Sequence, residues 1–232
     1  MAVATEAGRA GRGRVDEFPS CDINTRVMSV SAQGGTPVAA DPARVAPLEG
    51  AGAGRIGMWI FLITDGMGFG ALLLAYGVLR TRAVGWPDPM ERFLIPVAAA
   101  MTLTLLTSSM GVLLALSAAD EGRGGAARGW LAATLLCGLG FLAGQGFEYH
   151  HLMHDGVPMG LTSGLFASLF YVITGFHGLH VAAGLLVLFG VMLSRGGGRE
   201  WASRIEVAAL FWHFVDVAWV AIFTFIYLLP VR

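Results

Sequence analysis

Polar residues in this chain gather into short clusters, and between them run five long apolar stretches: Ile56 to Leu79, Phe93 to Ala118, Trp130 to Met153, Leu161 to Leu193 and Ile205 to Leu229. A helix needs about 20 apolar residues to cross the roughly 30 Å hydrocarbon layer of a membrane, and each stretch supplies them. Short connections carrying Pro, Gly and Arg separate the stretches, so the pattern predicts an all-α integral membrane protein built as an antiparallel five-helix bundle. At about 1.5 Å per residue the fourth stretch would be near 50 Å long, so it must tilt or protrude.

Composition agrees with this pattern. Of 232 residues 55% are apolar and 13% charged, and mean hydropathy is +0.66, whereas a soluble domain is about one quarter charged. The segment 1–55 differs: it is rich in Ala, Gly, Arg and Pro, has no helical periodicity, and reads as a flexible tail. No apolar stretch precedes Ile56, so a secretory signal is not expected. A net charge of -1 gives no reason to expect nucleic acid, and all 15 basic residues are Arg, which excludes lysine chemistry. Cys21 and Cys137 stand apart, so neither a disulfide framework nor a paired-thiolate metal site is expected. With the tail inside, eleven Arg lie on the inner side against four outside. The positive-inside rule then places the N-terminus in the cytoplasm, and the expected location is a bacterial cytoplasmic membrane. Gly66 with Gly70, and Gly140 with Gly144, are small-xxx-small pairs predicting tight helix contacts.

Ionisable groups at bilayer depth are costly and usually face a bundle interior or water, so they are where function is sought. The first stretch holds Asp65. The third ends in "GQGFEYHHLMHDG" with Gln145, Glu148, His150, His151 and His154. The fourth holds His177 and His180, and the fifth His213 and Asp216. Gln145 and Glu148, His177 and His180, and His213 and Asp216 are each three apart, so each pair shares a helix face. Only three histidines lie deep, too few for a di-haem or membrane di-iron centre. His150 and His154, one turn apart beside Glu148, leave an interfacial metal open, against the plainer reading of polar side chains at the water boundary. Asp65, Glu148 and Asp216 fit a proton relay, and helix-to-helix hydrogen bonding fits them as well. Trp212 and Trp219 read as packing or lipid contacts.

Four segments, "GMWIFLITDGMGFGALLLAYGVLR", "GFEYHHLMHDG", "TGFHGLHVAAG" and "LFWHFVDVAWVAIFTFIYL", resemble subunit III of the haem-copper terminal oxidases in order and spacing across Ile56 to Leu229. The resemblance implies a helical subunit that is not itself catalytic and binds no redox centre, haem and copper being held by partner subunits. It implies packing against catalytic subunit I, with subunit II and a small subunit IV as further partners. It also implies bound phospholipid, support of proton uptake into the catalytic subunit, and oxygen access.

Longer members have seven helices, the first two splayed around a lipid-filled cleft, and this chain carries the equivalents of the last five. Asp65 stands where the family often has Glu, one methylene longer. That acid and the "HHL" after the third stretch are similar to the quinol-oxidase branch, whose subunit III has five helices, as do short cytochrome c oxidase forms and accessory subunits of nitric oxide reductase. The candidates for proton uptake or lipid contact are therefore Asp65, Glu148, His177, His180, His213 and Asp216. Other readings of the same residues are an independent proton-coupled transporter, against which no pair of broken half-helices appears, and a metal-dependent enzyme on His150, His151 and His154.

Overall fold

A computed structural model describes residues 51–83, 86, 93–157, 164–194 and 198–229. The expected flexible tail lies outside these residues, except that 51–55 are helical. Five helices follow in order: α1 Ala51–Arg82, α2 Ile95–Asp120, α3 Gly124–His154, α4 Leu165–Leu193 and α5 Arg199–Ile222. The last continues as a π-helical segment, Phe223–Leu228. All five are long and apolar enough to cross a membrane, and no strand occurs among the described residues. A helix is what such sequences must form in lipid, because it satisfies every backbone group internally.

At two connections helices extend beyond the apolar stretches, and this corrects both links. The segment 120–129 was expected to be a link, yet only 121–123 lie between α2 and α3. The segment 194–203 was likewise expected to be a link, yet α5 begins at Arg199. Hydropathy marks only the part of a helix that sits in hydrocarbon, while backbone hydrogen bonding carries the helix on through the headgroup layer. Gly122, with φ 74°, closes α2: its N–H reaches Ala119 O at 3.0 Å, and Arg123 N–H reaches Ala118 O at 2.8 Å. A residue with a Cβ is strained in that left-handed conformation. Pro96 sits in the first turn of α2, where its missing N–H costs nothing. α4 starts at Leu165, after Gly164, and its 29 residues span about 43 Å, so the expected excess over the bilayer persists.

α2 and α3 form a close antiparallel hairpin, α5 lies against α2 and α4, and α1 leans mainly on α5. The burial pattern follows. α5 carries the fully buried Trp201, Trp212 and Trp219, whereas α1 turns Trp59, Ile60, Ile63, Met67 and Leu74 outward. Each of these three indole N–H groups finds an acceptor: Trp212 donates to Ser108 Oγ at 2.9 Å, Trp219 to Thr102 Oγ1 at 2.9 Å, and Trp201 to Val191 O at 3.0 Å. Trp212 and Trp219 are thus interior packing residues and not lipid contacts.

The glycine pairs act by one member each. A Cβ on Gly144 would stand 2.9 Å from Met101, and one on Gly66 would stand 3.5 Å from Phe214, but Gly70 and Gly140 face open space. Helices cross at an angle, so a stripe of small residues leaves its neighbour after about one turn. Tighter approaches occur where no such pair was evident. A Cβ on Gly138 would stand 2.6 Å from Leu185 and 2.8 Å from Trp212, and one on Gly184 would stand 2.9 Å from Trp212. Trp212 therefore fills a slot that exists because α3 and α4 carry no side chain there.

Candidate functional site

The buried ionisable residues do not converge on one centre; they are divided among separate helix contacts. Between α1 and α4, His180 Nε2 lies 3.2 Å from Asp65 Oδ2, both side chains being largely buried. The approach has the distance of an ion pair without the alignment of a hydrogen bond, since Asp65 Oδ2 has no hydrogen-bond partner. The other ring nitrogen of His180 is 2.8 Å from Phe176 O in its own helix, which fixes the ring. Phe69, one turn after Asp65, is itself buried and packs edge-on to His180 at 5.2 Å between centroids.

His177 behaves differently although it shares α4 and lies one turn away. It is fully buried and neither ring nitrogen has a hydrogen-bond partner. Aromatic rings enclose it: Trp219 stacks on it at 5.1 Å, and Phe141 and Phe69 meet it edge-on at 5.6 and 6.3 Å. Glu148, His213 and Asp216 hydrogen-bond to neither histidine: the first two are engaged elsewhere, and Asp216 makes no hydrogen bond.

Glu148 joins α3 to the π-helical end of α5, where Tyr227 O–H donates to its Oε2 at 2.7 Å while Oε1 has no partner. His213 Nδ1 hydrogen-bonds Ser109 Oγ of α2. It does not pair with Asp216 on its own helix, a possibility its spacing had left open. Asp216 is buried near the same serine, and neither of its oxygens meets hydrogen-bond geometry. Gln145 heads a fully directional network. Its amide nitrogen donates to Thr174 O at 2.7 Å and to Tyr149 O–H oxygen at 3.0 Å; Tyr149 contacts Thr174 Oγ1 at 2.7 Å, and that hydroxyl donates to Phe170 O at 2.7 Å. Gly178 gives Gln145 its space, since a Cβ there would be 2.9 Å from Oε1.

Sequence reasoning missed Tyr227, Ser109, Thr174 and Tyr149 as partners. The available signal was chemical: a tyrosine or threonine buried in an apolar helix needs an acceptor or donor on a neighbour.

Among the described residues no three His, Cys, Asp or Glu side chains are grouped as a metal site. His150 and His154 face each other at the end of α3, and His151 pairs with Asp155 on the adjacent face. Cys137 is a free thiol within α3.

At the opposite end of the bundle the first turns of α1 and α5 and the last turns of α2 and α4 border a crevice of about 920 Å³. Its floor is apolar, with Leu116, Val187, Val191 and Val207, and its rim carries Arg55, Arg199, Arg204 and Glu206. Arg55 pairs with Glu206 and Arg204 with Glu200. At the far end of α1, Arg80 donates to the carbonyls of Phe225 and Leu229 at 3.3 and 2.6 Å, capping the π-helical segment of α5 with positive charge.

An apolar bundle of five helices, each long and apolar enough to cross a membrane, with acids and histidines spread over the helix contacts, defines a multi-pass membrane protein. Residues 51–231 match the family described as cytochrome c oxidase subunit III, and the chain belongs to that family. It is 37% identical over 201 residues to the probable cytochrome c oxidase subunit 3 of Nocardia farcinica, covering 83% of this chain and 96% of that one. It is 37% identical over 176 residues to the cytochrome bo(3) ubiquinol oxidase subunit 3 of Pseudomonas aeruginosa, covering 75% and 83%. The cytochrome c oxidase subunit 3 of a Synechocystis species is 39% identical over 180 residues, covering 75% and 74%.

Proposed function

We propose that this chain, a subunit of a multi-subunit haem-copper oxidase, steadies catalytic subunit I and lines its surroundings with lipid, supporting proton uptake while electrons pass from cytochrome c or quinol to oxygen. Haem and copper belong to the partner subunits I and II, with a small subunit IV as a further neighbour. The carrying observation is the division of the ionisable groups: each of Asp65, Glu148 and His213 is tied to a neighbouring helix, an arrangement suited to holding a bundle and not to a continuous transport path. The relatives include subunit 3 of both cytochrome c and ubiquinol oxidases at equal identity, which supports reading the donor chemistry as a property of the partners. Phospholipid fits the crevice rimmed by Arg55, Arg199 and Arg204: the apolar floor suits acyl chains, and Arg199, which has no ion pair among the described residues, suits a phosphate.

Isolation in mild detergent tests this reading. The tagged chain should bring down a haem protein that reduces oxygen, and haem-free recovery under conditions that retain membrane complexes would refute it. In the same complex Asp65→Asn should leave turnover at neutral pH, with a steeper decline at high pH or earlier inactivation. A complete loss of turnover with all subunits present would contradict the supporting role.

The Arg asymmetry supports a bacterial cytoplasmic membrane location with the N-terminus and the residues near Arg123 and Arg199 in the cytoplasm. A cysteine added after Arg232 should then react with an impermeant thiol reagent in intact cells. Labelling only after cell breakage would reverse the orientation.

A further inference from the structure

We propose that His150 and His154, at the end of α3, form a two-imidazole clamp for a divalent transition-metal ion such as Zn2+. Their Nε2 atoms point at each other across 3.2 Å, with ring centroids 4.5 Å apart, and both residues are exposed. Histidines one turn apart on a helix are the bidentate element of many zinc sites, because the helical repeat stacks the two rings on one face. The nitrogen separation suits coordination. With Zn–N bonds of about 2.0–2.1 Å, two nitrogens 3.2 Å apart subtend an angle of about 100° at the metal, close to tetrahedral.

The scaffold is rigid at this point: Glu148 and Leu152, on the opposite face of the same turns, are buried in the bundle, and Gly156, with φ 80°, ends the helix just beyond. The remaining coordination positions open to the aqueous side and would be taken by water, so the clamp binds metal reversibly, unlike a closed structural site. Imidazole suits Zn2+, Ni2+ and Cu2+, and Mg2+ and Ca2+ prefer oxygen ligands. His151 is directed away, its Nδ1 lying 3.2 Å from Asp155 Oδ2. No part of this proposal depends on the oxidase reading.

The test is Zn2+ binding to the full chain, purified in detergent through a histidine-free tag and measured by competition with a zinc-sensitive dye. One Zn2+ per chain should bind with micromolar affinity and more weakly as pH falls, because coordination needs unprotonated imidazole. His150→Ala and His154→Ala should each weaken binding by about tenfold or more, and the double variant should be no worse than the weaker single one. His151→Ala should bind as the parent does. All three positions face outward or pair at the surface, and an unchanged helical circular dichroism spectrum verifies folding. Uptake unaffected by either substitution, uptake abolished equally by His151→Ala, or no uptake by the parent beyond the double variant would each overturn the proposal.

Discussion

Gly184→Leu should abolish recovery of the folded chain, because the new side chain must enter the space of Trp212. A Cβ alone at this position would stand 2.9 Å from Trp212 Cε3 and 3.1 Å from Cζ3. The indole cannot yield, since Gly138 of α3 borders its other side, it is fully buried, and its N–H is committed to Ser108. Overpacking a core this tight costs about 3 kcal/mol, a large share of the roughly 5–15 kcal/mol by which proteins are stable. Gly190→Leu provides the control: it is nearly two turns further along the same helix and exposed, and a Cβ there would meet nothing within 4 Å. Monodisperse yield in detergent, compared between the two variants, decides the matter. Equal recovery would show that Trp212 is free to move.

Removing the carboxylate of Glu148 should have the next largest effect. It is 3% exposed and accepts the Tyr227 hydroxyl at 2.7 Å, the contact that ties α3 to the π-helical end of α5. Glu148→Ala leaves a buried hydroxyl unpaired, which costs about 1–3 kcal/mol, and adds an unfilled space. Glu148→Gln keeps a carbonyl oxygen within reach of Tyr227. The alanine variant should therefore lose thermal stability in detergent by several degrees, while the glutamine variant should stay near the parent. If both fall equally, the charge and not the hydrogen bond supports the contact. In the assembled oxidase the glutamine variant also tests the proposed support of proton uptake, since it preserves the joint while removing the ionisable carboxyl.

The five helices were legible because hydropathy over twenty residues reflects a single physical demand, the exclusion of polar groups from hydrocarbon. Where the helices end was not, since outside the hydrocarbon the continuation of α3 back to Gly124 and of α5 back to Arg199 depends on backbone bonding and on packing such as that of Trp201. Spacing correctly put Gln145 and Glu148 together on a buried face, yet it could not say that one meets Thr174 and the other Tyr227. That choice depends on which helices adjoin, a tertiary fact. Asp65 with His180 illustrates the same limit: both were evident as buried polar residues, but α1 and α4 are far apart in the chain and nothing local joins them. His177 is the reverse case. Its sequence setting matches that of His180, and only the aromatic rings around it show that it makes no polar contact.

Arg55 and Arg80, near opposite ends of α1, give the bundle a sense of membrane thickness. At about 1.5 Å per residue they are about 37 Å apart along the helix, and each holds a polar group of α5, the Glu206 carboxylate at one end and the Phe225 and Leu229 carbonyls at the other. Typical hydrocarbon is roughly 30 Å thick, so both guanidinium groups reach the headgroup layers with length to spare for tilt. As the bilayer thickens toward their separation that tilt is used up, and beyond it one of the two polar fastenings is drawn into oil. Because α1 is held to the bundle largely through its neighbour α5, the lipid composition of the membrane acts directly on how firmly the first helix stays attached.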